Sequence, residues 1–165
     1  MAYNETISRI QHTMYKHRSR GFTLIELLVV IAIIGVLSAV VLASLNTARN
    51  KGNDAAIQSN MATIQTQAEI YYGGAGLNKY GEQAWSSGAS TACTGGMFTD
   101  TTIIRAFGGA DSVNGAGNVA CFANNTGYVV AAALTTGTAY WCVDQTGAGK
   151  IVNAALPTAA ITACP

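Results

Sequence analysis

Histidine is the first shortage. The chain has two, His12 and His17, and none follows. Beyond residue 17 the commonest general base and the commonest neutral metal ligand are therefore missing. Charge is also scarce: charged residues make up 10% of the chain against 50% hydrophobic. The carboxylates Asp54, Glu69, Glu82, Asp100, Asp111 and Asp144 are scattered, with no paired arrangement for acid–base work. No phosphate loop or dinucleotide fingerprint occurs. Cysteines stand at Cys93, Cys121, Cys142 and Cys164 without any C-x-x-C, and spacings of about 20–30 residues do not suit a zinc site. If they are paired, Cys–His and Ser–His nucleophilic catalysis are excluded. No catalytic residue, metal or cofactor is expected, and the chain is not read as an enzyme.

What is present is one long apolar run. Phe22–Leu45 carries a single charge, Glu26. As a helix it spans roughly 36 Å at about 1.5 Å per residue, enough to cross a hydrocarbon core of about 30 Å. Before it, Arg9, Lys16, Arg18 and Arg20 stand against Glu5, a net of +3, while the remainder is net −2. A basic flank of this kind stays on the cytoplasmic side. The segment after the run is then expected outside the inner face of the membrane. All four cysteines lie there, an even number, which reads as two disulfides formed in an oxidising compartment. The total length suits one modest domain plus an anchor.

Residues 16–45 read KHRSRGFTLIELLVVIAIIGVLSAVVLASL. A secretory signal peptide has a shorter apolar core and a small-x-small site at its end. A plain signal anchor explains the flank and the run but not Glu26. A carboxylate at the bilayer centre costs about 2.5–3.5 kcal/mol, less near an interface. One reading has Glu26 reaching back to the headgroups and favouring the helix N-terminus.

The string Gly21-Phe22-Thr23-Leu24-Ile25-Glu26, between a basic flank and an apolar run, resembles the class III signal of type IV prepilins. The likeness is close over residues 16–45 and looser to about residue 72. It implies a leader over residues 1–21, cut between Gly21 and Phe22 by a prepilin peptidase, and a new N-methylated amine at Phe22. Glu26 then pairs with the Phe22 amine of a neighbouring subunit, and Phe22, Thr23 and Glu26 form the assembly set. The implied partners are other copies in a helical homopolymer, an inner-membrane assembly platform, minor pilins, and the membrane that holds the precursor. The implied locations are the inner membrane and then an extracellular filament. Two departures stand out. Many pilins carry a proline near the outer end of this helix, where this chain reads Val41-Leu42-Ala43-Ser44, so no proline kink is expected and Gly35 is the remaining weak point. The leader is also long, and a start at Met14 would shorten it to Met14–Gly21.

Beyond residue 45 the helix is expected to continue to Tyr72, roughly 75 Å in all at about 1.5 Å per residue. Ile57, Met61, Ile64, Ala68 and Tyr71 mark one apolar face over residues 46–72, and Gly73-Gly74 end it. Residues 73–118 read as loop-rich, with a short helix over Thr99–Phe107. Residues 119–165 hold strands at Gly127–Leu134, Ala139–Asp144 and Lys150–Val152, turns at Thr135–Thr138 and Gln145–Gly149, and a further element at Val119–Phe122. The fold class is α+β, pilin-like: a long N-terminal helix on a small antiparallel sheet. Four cysteines allow three connectivities; we favour Cys93–Cys121, closing the loop after the helix, and Cys142–Cys164, tying the tail to the sheet. Asp111, Asn114 and Asn118 resemble a calcium loop without its terminal glutamate, and a Gly/Asn turn explains them better. Asn124-Asn125-Thr126 matches a glycosylation sequon, although a plain turn before a strand accounts for it. Tyr128, Tyr140 and Trp141 lie on strands, where core packing is the default. A net charge of −2 after residue 21 gives no general attraction to nucleic acid.

Three functions are consistent with this pattern. One is the subunit of a type IV pilus. The second is the pseudopilin of a type II secretion machine. The third is a monomeric membrane-anchored binding module, which predicts an uncut N-terminus.

Overall fold

The computed structural model describes residues 21–135, 138–147 and 149–165. The leader over residues 1–20, with His12, His17 and the candidate start at Met14, lies outside them. So do Thr136 and Gly137 of the first expected turn and Ala148 of the second. Two compact units divide the chain, one ending at Val41 and the other spanning Leu42–Pro165.

Helix α1 (Leu24–Gly73) contains Gly35 without a break. Every residue from Gly21 to Gly52 is exposed. By length and composition α1 is, among the described residues, the helix able to cross a membrane.

In the Leu42–Pro165 unit, α1 buries Asp54, Ile57, Met61, Ile64 and Ala68. The steps of three and four put these residues on one face. They pack on a five-stranded antiparallel sheet in the order β1 (Gln83–Gly88), β2 (Val119–Ala123), β3 (Tyr128–Ala133), β4 (Tyr140–Asp144) and β5 (Lys150–Val152). Register explains the two faces. Cys121 opposes Val130 and Val130 opposes Val143, and all three join the core under α1 with Tyr128 and Ala132. Ala120 opposes Ala131, which opposes Cys142. This second row, with Val129 and Tyr140, is covered by Leu156, Ile161 and Cys164 of the C-terminal segment. Both faces of β3 are therefore buried, which is why its sequence YVVAAA is apolar throughout rather than alternating.

The region expected to be mostly loop is more regular. It holds β1, 3₁₀ turns at Ser90–Ala92 and Gly96–Thr99, and helix α2 (Thr101–Val113). Asp100 caps α2, accepting from the backbone amides of Thr102 at 2.8 Å and Ile103 at 3.2 Å. The helix runs six residues past the expected end at Phe107. Gly108-Gly109 reads as a stop in sequence, but a Cβ on Gly109 would lie 3.0 Å from the Asn60 side chain. This glycine permits close approach to α1 rather than ending α2.

Candidate functional site: the N-terminal junction and its helix

The apolar run needs a start. Leu24 is the first helical residue, so Thr23 is the N-cap and Glu26 the third residue of the first turn. The Glu26 backbone amide donates to Thr23 Oγ1 at 3.2 Å, and the Thr23 amide donates to Glu26 Oε2 at 2.8 Å. The Thr23 hydroxyl donates to the same carboxylate oxygen at 2.9 Å. This reciprocal exchange is a capping box. It satisfies amides that the first turn leaves without intrahelical partners, and it gives Glu26 a local set of donors. The Thr-x-x-Glu spacing was visible in the sequence; the sequence reading assigned Glu26 a partner in another subunit and missed this one within the chain.

Of the residues expected at the junction, the structure brings Thr23 and Glu26 together. Phe22 lies outside the cap and is 83% exposed. A Cβ built on Gly21 would meet no described atom within 4 Å, so the Gly21–Phe22 peptide is open on all sides among the described residues. Past the cap the exposure continues: of the 20 exposed large hydrophobic residues, 16 fall between Phe22 and Leu45.

The Leu42–Pro165 unit shows the reverse condition. Cys93 is bonded to Cys121 and Cys142 to Cys164. The bridges lie on opposite faces of the sheet, the first in the core under α1 and the second beneath the C-terminal segment. Strand parity separates Cys121 from Cys142, and no periodicity in the loops revealed the partners.

Buried carboxylates hold the unit's joints. Asp111 accepts from the amides of Ser90 and Gly117, each at 2.9 Å, and Asn118 at 3.3 Å. Burial pushes its carboxyl up, but these donors outweigh burial and leave it below the usual carboxylate range. Asn118 donates to Asn114 and Gly115 carbonyls, each at 2.9 Å, and Asn114 donates to the Ala133 carbonyl. The residues weighed as a calcium loop thus form a hydrogen-bonded clamp between α2 and the sheet. Among the described residues no cluster of three or more His, Cys, Asp or Glu is placed to hold a metal.

Asp144 accepts from the Thr146 amide and hydroxyl at 2.9 and 2.6 Å and from the Cys164 amide at 2.9 Å. Burial raises its carboxyl, and the Thr146 and Cys164 donors with Lys150 bring it below its ordinary value. Asp54, on the buried stripe of α1, accepts from the Thr135 amide and hydroxyl at 2.7 Å each. Sequence reasoning counted it among scattered acids, although its place three residues before Ile57 on that stripe was legible. Asn124 Oδ1 accepts from the amides of Thr126 and Gly127 at 2.9 and 2.8 Å, a side-chain turn before β3. Tyr128 and Tyr140 are buried, and Trp141 packs against the core.

Residues 16–42 match the family described as the prokaryotic N-terminal methylation motif. The chain is 43% identical over 53 residues to the type IV wide pilus major component PilA4 of Thermus thermophilus. That match spans 32% of this chain and 40% of the relative's length. No solved structure matches. The motif falls on the flank, the Thr23–Glu26 cap and most of the exposed apolar run, and these findings make the chain a type IV prepilin-like protein.

Proposed function

We infer that the chain is a structural subunit of a type IV pilus-like filament, made as a membrane-anchored precursor. In this reading a prepilin peptidase cuts between Gly21 and Phe22, and an inner-membrane assembly platform with minor pilins receives the product. The observation that carries it is the unbroken exposure of Gly21–Gly52 in a chain whose other unit closes its own core. Such a helix suits lipid first and sister helices afterwards. The transfer gains little from the hydrophobic effect, because lipid is as apolar as leucine. Close packing and the Glu26 carboxylate must then supply the selectivity. In the membrane the Thr23 donors satisfy Glu26 within the chain. In the filament the freed Phe22 amine of a neighbour would add an opposite charge and set axial register. The printed name of the Thermus relative, a pilus major component, is consistent with this.

The test has two arms. Mass spectrometry of a sheared surface fraction should find N-methyl-Phe22 as the first residue; an intact leader there would sink the reading in favour of an uncut anchor. Glu26→Ala should abolish filaments while the protein still partitions with membranes. Normal filament yield from that variant would remove Glu26 from the mechanism. Recovery of the cut protein only with the cell envelope would favour the short filament of a secretion machine.

A further inference from the structure

The turn after α1 ends in an oddity. Leu77 is 81% exposed and holds φ +52°, followed by Asn78 at +62°. The left-handed region costs a non-glycine residue about 1–2 kcal/mol, and leucine has no side-chain hydrogen bond to offset it. The conformation is nevertheless fastened: Gly76 and Asn78 amides donate to the carbonyls of Tyr71 at 2.7 Å and Tyr72 at 2.8 Å. The preceding Gly73-Gly74-Ala75-Gly76 carries almost no side chain, so Leu77 stands at the tip of a slender, rigid turn. Nothing in the fold uses an apolar side chain there.

The same unit carries a pocket of about 660 Å³ between the 3₁₀ turns and α2. Phe98 and Phe107 floor it, Ile104, itself 51% exposed, forms part of the wall, and Thr91 and Thr94 add hydroxyls. No residue of the 73–80 turn lines it. The volume is too large for one leucine side chain and suits a turn tip.

We propose that the Leu77 turn of one copy inserts into the Phe98–Phe107 pocket of the next, a second contact between subunits in addition to that of their apolar helices. The chemistry matches: leucine meets the apolar floor and the Asn78 amide meets the threonine hydroxyls. Lys79 and Glu82 flank the turn, and Asp100 and Arg105 flank the pocket, so both charges find opposite partners. Turn and pocket are different patches, which makes the contact head-to-tail and propagating rather than a closed two-fold pair. A fixed tip also loses little entropy on docking. This inference rests on the filament reading.

The test uses full-length chains in cells that assemble them. Leu77→Cys and Ile104→Cys chains, co-expressed and oxidised in the sheared fraction, should give a mixed dimer absent from either variant alone. A chain with both substitutions should give a ladder. Leu77→Asn relieves the strained backbone, and Gly108→Met fills the pocket from within, where a Cβ meets nothing closer than Ser90 Oγ at 4.0 Å. Each should lower the assembled fraction roughly tenfold, the scale of losing one buried interface anchor, while the disulfide-bonded unit melts no lower than wild type. Filaments that form with no mixed dimer, or with wild-type yield from both of these variants, overturn the proposal and leave the filament reading standing. Absence of any wild-type filament overturns both, and is distinguished by that absence.

Discussion

The stretch Gly21–Gly52 and the region from Asp54 onward solve opposite problems with one shared helix. In the first, every residue is exposed. Its hydrogen bonds are the helix's own, the Thr23–Glu26 cap, one turn-to-turn bond from Thr47, and a Thr135 hydroxyl donating to the Asn50 carbonyl near its far end. In the second, apolar groups are covered from within, disulfides sit on both faces of the sheet, and buried acids seal the joints. A sequence can thus be apolar for two reasons. The N-terminal run is apolar because something outside the chain must cover it, and so its composition tolerates exchange among large aliphatic residues. The β3 strand is apolar because the chain covers it, and so its volumes are fixed.

The largest break in that comparison comes from the disulfide under α1. Replacing Cys93 and Cys121 together by serine should cost about 2–5 kcal/mol and leave two hydroxyls in the core. Protease should then digest the Leu42–Pro165 unit while the apolar run stays protected in membranes. Loss of membrane association in the same variant would show that the two regions are not independent. By contrast Leu37→Ile should leave the melting of the folded unit unchanged.

Next is Gly96→Ala. Gly96 holds φ +55° and a Cβ there would sit 2.5 Å from the Tyr80 carbonyl and 2.8 Å from Gly81. The chain crossing at Gly81 and Gly96 has room for backbone alone. A strained left-handed alanine costs about 1–3 kcal/mol before the clash is counted, and thermal melting should register it. Gly35→Ala, where nothing lies within 4 Å, should leave the melting of that unit unchanged.

How much of this was legible before the structure follows the same division. The apolar run, the buried stripe on α1 and the strands at β3, β4 and β5 were readable, because burial imposes a period or a length on them. The first strand was not: QAWSSG is polar, sits at the sheet edge and shifts register between Gln83 and Ser86. Edge strands are half-solvated and carry little hydrophobic signal. The Asp111 clamp looked like a turn or an ion loop because its donors are backbone amides, which no residue type announces. The capping box was spelled out by Thr23 and Glu26, yet a glutamate in an apolar run draws attention to distant partners before the one three residues away.

Acid should separate the regions more gently. Asp111 and Asp144 both lie below their ordinary pKa when folded. Such groups bind fewer protons in the native state than in the unfolded one. Their stabilisation is fully present above the unfolded carboxyl value of about 3.9 and is lost as pH falls through the lower folded values. Melting of the Leu42–Pro165 unit should therefore decline below about pH 4, and Asp144→Asn should flatten that decline. An unchanged acid limb in both Asp111→Asn and Asp144→Asn would locate the sensitivity elsewhere.

The smallest effect expected is at the cap. Thr23→Val keeps the side-chain volume and removes the hydroxyl that accepts from the Glu26 amide and donates to its carboxylate. Loss of an N-cap costs about 0.5–2 kcal/mol, here limited because the residue 23 backbone amide still reaches Glu26. In detergent, amide exchange over residues 24–27 should quicken by roughly fivefold, the equivalent of about 1 kcal/mol. Thr23→Ser should restore it. Exchange in β3 should not move in either variant, since its protection comes from a core that the cap does not touch. Faster exchange there would mean that the start of α1 is coupled to the sheet, and the contrast between a helix waiting for partners and a unit complete in itself would fail.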